Sequence, residues 1–122
     1  MPFLETVTAC ALTLACSGGP TAPAGHHLTL TMQEPDGQTS AVVLECEPSG
    51  GSHPTPDTAC ETLTAVAADF AGIAGEQRQC ILLYSPVEVQ AVGRWQGERV
   101  NFQASYANRC VAGAQTSGVF DF

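Results

Sequence analysis

The chain reads as an α+β protein: an antiparallel sheet of about five strands with one well-formed helix laid on it. Three observations predict this. Leu28, Leu30 and Met32 alternate with Thr29 and Thr31, and Val100, Phe102, Ala104 and Tyr106 alternate with Arg99, Asn101, Gln103 and Ser105, so each stretch is a strand with one buried face. Between them, Cys60, Leu63, Ala67 and Phe70 recur at spacings of three and four, the mark of a helix with one apolar stripe. Four cysteines, Cys46, Cys60, Cys80 and Cys110, run through the same region and read as two disulfides.

The segment ahead of the first strand does not read as part of the fold. Val7 to Ala15 is small and apolar, like the core of a secretion signal, and too short to span a bilayer. Glu5 interrupts the approach to it and no Lys or Arg precedes it. Cys16, followed by Ser17-Gly18-Gly19-Pro20, is a candidate lipid-attachment site, with Cys10 after Val7-Thr8-Ala9 as its competitor. Residues 1–16 are therefore expected to be an export signal of secretory or lipoprotein type. Residues 17–27 are expected to be a flexible tether on which His26 and His27 are solvated, and residues 28–122 the folded domain.

Within the domain, Glu34-Pro35-Asp36-Gly37 is a turn. It leads to a second strand in which Val42, Leu44 and Cys46 alternate. Pro48 to Pro56 is a loop. Thr55 is expected to cap the helix, with Pro56 in its first position, and Gly72 to end it. Val87, Val89 and Ala91 mark the next strand, and Gln96-Gly97 a bend before the strand through Tyr106. A short helix or loop crosses Cys110, and Val119-Phe120-Asp121-Phe122 reads as a last strand. The most local disulfide pairing joins Cys46 to Cys60 and Cys80 to Cys110, one of three connectivities open to four cysteines. In a chain-entropy account each closed loop adds roughly 3 to 4 kcal/mol of stability.

Composition narrows the function. The 122 residues carry a net charge of -8 and no lysine, and the four arginines, Arg78, Arg94, Arg99 and Arg109, are scattered. Nucleic acid needs a clustered basic surface, so it is not an expected partner, and a membrane is expected only through an N-terminal lipid. No metal or other cofactor is expected, because C-x-x-C is absent and no His lies at ligand spacing from a Cys. Signatures of nucleophilic, metallo- or phosphate chemistry are missing, and His53 reads as a surface or loop-fixing residue, so an enzyme is not expected.

The unusual stretch is Gln77 to Pro86, QRQCILLYSP, with Ile81, Leu82 and Leu83 in a row after a staple cysteine. Two readings stand: a buried strand, or an exposed extended segment offered to another protein. The surrounding motifs bear on the choice. Gly51-Ser52-His53-Pro54, Cys80 through Val87, Trp95-Gln96-Gly97-Glu98-Arg99-Val100, Tyr106-Ala107-Asn108-Arg109-Cys110 and Val119 through Phe122 stand in one order. From about Leu28 to Phe122 the chain resembles the Streptomyces subtilisin inhibitor family.

That resemblance implies a five-stranded antiparallel sheet packed with two helices, disulfides Cys46–Cys60 and Cys80–Cys110, and a homodimer packed sheet to sheet. It implies a secreted inhibitor of serine proteases of the subtilisin or chymotrypsin type, whose reactive bond joins Leu82 to Leu83. Gln79, Cys80, Ile81, Tyr84 and Ser85 would flank that bond in contact with the protease. Three positions depart from the family's usual residues: Ile81 (often Pro or Thr), Ser85 (often acidic or amide) and Gln79, polar where subtilisins favour an apolar contact. The rival reading is a non-inhibitory envelope lipoprotein or binding module that keeps the fold.

Overall fold

The computed structural model describes residues 25–122. Strands β1 (His26–Gln33), β2 (Thr39–Glu45) and β3 (Gly50–Gly51) come first. Helix α1 (Pro56–Ala65) and a single 3-10 turn (Phe70–Gly72) follow, then β4 (Val87–Trp95), β5 (Glu98–Tyr106) and helix α2 (Arg109–Gln115). The sheet is antiparallel in the order β3-β2-β1-β4-β5. β1 lies at its centre, with Leu30 opposite Val42 on one side and Ala91 on the other.

One face of the sheet is the core. Leu28, Leu30 and Met32, Leu44, and Val87, Val89 and Ala91 are buried against Ala59 and Leu63 of α1, Ala112 of α2, and Val119 and Phe120. Phe70 stacks on Phe102 with ring centres 4.7 Å apart and meets Phe120 at 5.9 Å, so the aromatic residues join the helical layer to β5. Both disulfides form, Cys46–Cys60 and Cys80–Cys110. The first ties the end of β2 to α1.

Several expectations need correction. The fifth strand is the Gly50–Gly51 pair at the sheet edge, not Val119 to Phe122. Gly51 has φ +93°, and a Cβ there would lie 2.2 Å from the Val43 carbonyl, so only glycine lets these strands meet. Val119 and Phe120 are both fully buried, which a two-faced strand does not permit for neighbours. Helix α1 ends at Ala65, short of Phe70, because Ala67 and Ala68 adopt left-handed φ of 52° and 61° while the Ala68 amide turns back to the Leu63 carbonyl. Thr55 makes no side-chain cap. Strand β1 begins at His26, which is buried flat against Trp95 at 4.1 Å rather than solvated, whereas His27 is half exposed.

His53 fixes the loop that Thr55 does not. It is buried, its Nδ1 accepts from the Thr55 amide at 3.0 Å, and its Nε2 donates to the Val119 carbonyl at 2.8 Å. Thr116 completes the anchorage, accepting from the Phe120 amide and donating to the Ala112 carbonyl. His53→Ala is expected to strand both partners of the imidazole and to lower stability by about 2 to 3 kcal/mol, read as a lower urea midpoint with an unchanged slope.

Candidate functional site: an exposed apolar segment on a tied frame

No helix or strand forms between the 3-10 turn and β4, and in this interval lie the most exposed large apolar side chains among the described residues. Ile81 is 74% exposed, Leu82 104%, Leu83 55% and Tyr84 79%. A run of three aliphatic residues is normally core, so solvent on all of them excludes the buried-strand reading. The residues singled out in the sequence therefore come together on one segment. Gln79 is exposed, Cys80 is half buried in its disulfide, and Ser85 is half buried where the chain turns toward β4. Cys16 lies outside the described residues.

The segment is held from both sides. Upstream, the Glu76 amide donates to the Ala114 carbonyl at 2.8 Å, and Ser117 Oγ to the Ala74 carbonyl at 2.7 Å. Arg78 bridges Glu76 and Asp121, with Nη2 3.2 Å from Asp121 Oδ2, and its hydrogen bond to Glu76 first, then the two carboxylate charges, hold it firmly protonated. The Cys80–Cys110 disulfide fastens the segment to α2. Downstream, the Ser85 amide donates to the Ala107 carbonyl at 2.8 Å.

Asn108 ties the middle. Its Oδ1 accepts from the Val111 amide at 2.9 Å and so caps α2. Its Nδ2 then points outward, donating to the Leu83 carbonyl at 2.7 Å and more weakly to the Ile81 carbonyl at 3.4 Å. The two carbonyls flanking that of Leu82 are thus held by one buried amide group, while the Leu82 side chain projects into solvent. Asn108 had stood out in the sequence only as part of a motif. The signal that could have found it is an asparagine two residues ahead of a staple cysteine, a helix-capping residue placed where the disulfide brings the segment alongside.

Fold and site together define a class: a small disulfide-stapled protein that displays a tied, exposed apolar segment, with Leu82 its most exposed residue. Comparison with known proteins gives the family. The sequence profile of the subtilisin inhibitor-like family matches residues 22–108. Subtilisin inhibitor-like protein 5 of Streptomyces fradiae is 42% identical over 84 residues, covering 67% of this chain and 78% of that protein. Kexstatin-1 of Streptomyces platensis is 40% identical over 116 residues, covering 88% and 79%. Among solved structures, sermetstatin of Streptomyces caespitosus, crystallised with Bacillus licheniformis subtilisin, superposes with a TM-score of 0.60 at 24% identity, over 80% of this chain and 96% of that one, a likeness of fold. The chain belongs to the subtilisin inhibitor-like family.

Proposed function

We propose that this protein inhibits serine proteases of the subtilisin type by presenting the Leu82–Leu83 bond as a substrate. The observation that carries the reading is the exposed apolar segment tied at both ends and through Asn108. An extended strand of this kind pairs with a protease backbone to backbone. Because the segment is already shaped, binding forfeits little conformational entropy. Leu82 suits a hydrophobic primary pocket, not one built for Arg or Lys.

The chemistry follows from what is tied to what. The protease serine adds to the Leu82 carbonyl carbon, and collapse of the adduct breaks the bond to the Leu83 nitrogen, which leaves as an amine carrying the transferred proton. In a peptide substrate that amine diffuses away. Here Cys80–Cys110, the Asn108 hydrogen bond to Leu83 and the Ser85 amide keep it beside the acyl-enzyme, so re-attack on the ester competes with water. The complex then dissociates slowly and mostly as intact inhibitor. A passive binding module has no need of a fastened apex, which weighs against the rival reading.

The finer expectations belong to the same proposal. Two disulfides suit an oxidising, extracellular setting after export, with Cys16 as the lipid-bearing residue of a surface-anchored form. Mass analysis of the mature N-terminus checks the lipid. The sheet face turned away from the helices is the surface on which a second copy would pack as a homodimer, which sedimentation tests.

Inhibition is tested by titrating subtilisin with the purified chain and following hydrolysis of a chromogenic peptide. Loss of activity that reaches completion near one equivalent supports the proposal, and undiminished hydrolysis at large excess refutes it. Asn108→Ala is expected to leave the stoichiometry of initial inhibition unchanged but to speed cleavage of the bond about 10- to 100-fold, as recovery of protease activity reveals.

A further inference from the structure

The ties described so far fasten the reactive segment to α2, but a disulfide to a short helix does not by itself fix the segment in space. Helix α2 has only seven residues. Its buried side is Ala112, Gly113 and Ala114, small residues that come close but interlock little. If α2 shifts, Cys110 and Asn108 shift with it, and so does the segment they hold. Beneath the segment there is also room to move. Ile81 and Leu83 border a cavity of about 320 Å³ whose other walls include Glu34, Asn108, Arg109 and Cys110.

Arg109 crosses from the helix to the sheet at this place. It sits in the first turn of α2, where a cation opposes the helix dipole, so its presence there calls for a partner. It has two. Nη1 donates to Glu34 Oε2 at 2.6 Å, and Nη2 donates to the Phe122 carbonyl. Glu34 is itself fixed by its backbone in the β1–β2 turn: its amide donates to the Gln38 carbonyl at 2.8 Å, and its carbonyl accepts from the Gly37 amide at 2.9 Å.

We propose that Arg109, paired with Glu34, is a positioning residue for the reactive segment: it locks the start of α2, and through it Asn108 and Cys110, to the β1–β2 turn and to Phe122. The inference deepens the inhibitor reading and rests on it for its functional meaning. Both partners are partly open to solvent, so the pair adds little to global stability, and its effect is local geometry.

The test compares wild-type chain with Arg109→Met, Glu34→Gln and Arg109→Lys. Two things are read: backbone amide order of Leu82 to Tyr84 by NMR relaxation in the free protein, and the rate at which subtilisin cleaves Leu82–Leu83. In Arg109→Met the segment is expected to fall from about 0.85 in order parameter to below about 0.6, with β4 and β5 unchanged. Cleavage is expected to quicken about tenfold or more, since both hydrogen bonds of the guanidinium are lost. Glu34→Gln, which removes one of the two partners of Arg109, is expected to move both readouts the same way by less, and Arg109→Lys to restore most of the order. A segment as ordered in Arg109→Met and Glu34→Gln as in wild type overturns the role. Because order is read without protease, the two ideas separate. A segment that loosens while wild type fails to inhibit removes the inhibitor reading and keeps the positioning role. A segment that stays ordered while wild type inhibits does the reverse.

Discussion

Replacing Leu82 by lysine is expected to reduce inhibition of subtilisin-type proteases by roughly a thousandfold or more, because an ammonium buried without a partner in an apolar pocket costs about 4 kcal/mol or more. The same variant is expected to inhibit trypsin, whose primary pocket carries a carboxylate. Leu82 is fully exposed, so the substitution removes no packing, and thermal stability is expected to stay within about 0.5 kcal/mol of wild type. The effect therefore isolates the side chain proposed to enter the pocket. Inhibition constants against both proteases check it, and an unchanged constant against subtilisin would show that the apex residue has been misassigned.

Removing the Cys80–Cys110 disulfide by a double change to serine is expected to have the second large effect, on two quantities at once. The bridge spans a sequence separation of 30, for which loop-closure entropy gives about 4 kcal/mol, enough to lower the melting temperature by roughly 15 °C or more in a domain of this size. Below that temperature the released segment is expected to be cleaved as a substrate, because the half ending at Leu82 is no longer tied to α2 beside the new amine. The matching change at Cys46 and Cys60, separated by 14, serves as the control. It is expected to cost about 3 kcal/mol yet to leave inhibition intact in the cold, since that bridge lies between β2 and α1, away from the segment. Thermal melts and inhibition assays on the two variants separate stability from function. Equal loss of inhibition in both would mean that the staple near the segment has no special role.

The sequence carried the sheet well where burial is one-sided. In β1 and β4 every second side chain is buried in one core, and in β2 and β5 alternate side chains such as Val42, Leu44, Val100, Phe102 and Ala104 pack into or against it, so the period survives in the letters. It failed where other physics decides. β3 is two glycines, and the close backbone approach that Gly51 makes to Val43 leaves no pattern in the letters. Val119 to Phe122 imitates a strand but is seated by Thr116 just upstream and by His53, a partner distant in sequence. His26 looked like tether because the ring that buries it, Trp95, belongs to another strand.

The site was legible in part. Ile81-Leu82-Leu83 was visible as an anomaly, but composition alone favours burying such a run, and only its likeness to a family pointed outward. The contacts that hold it were not legible, since the reach of Asn108 across two carbonyls and the meeting of Arg109 with Glu34 are products of the fold.

In the proposed function, Leu82–Leu83 is a bond the protease can open but does not readily leave open. The most direct measurement incubates the chain with a small amount of subtilisin over days and follows the mass of the inhibitor with and without reduction. A slow approach is expected to a mixture of intact chain and a form heavier by one water, whose halves stay joined through Cys80–Cys110 until reduced and then separate between Leu82 and Leu83. Purified cut form returned to the protease is expected to regain intact chain. Rapid digestion at many bonds, or a single cut elsewhere, would contradict it.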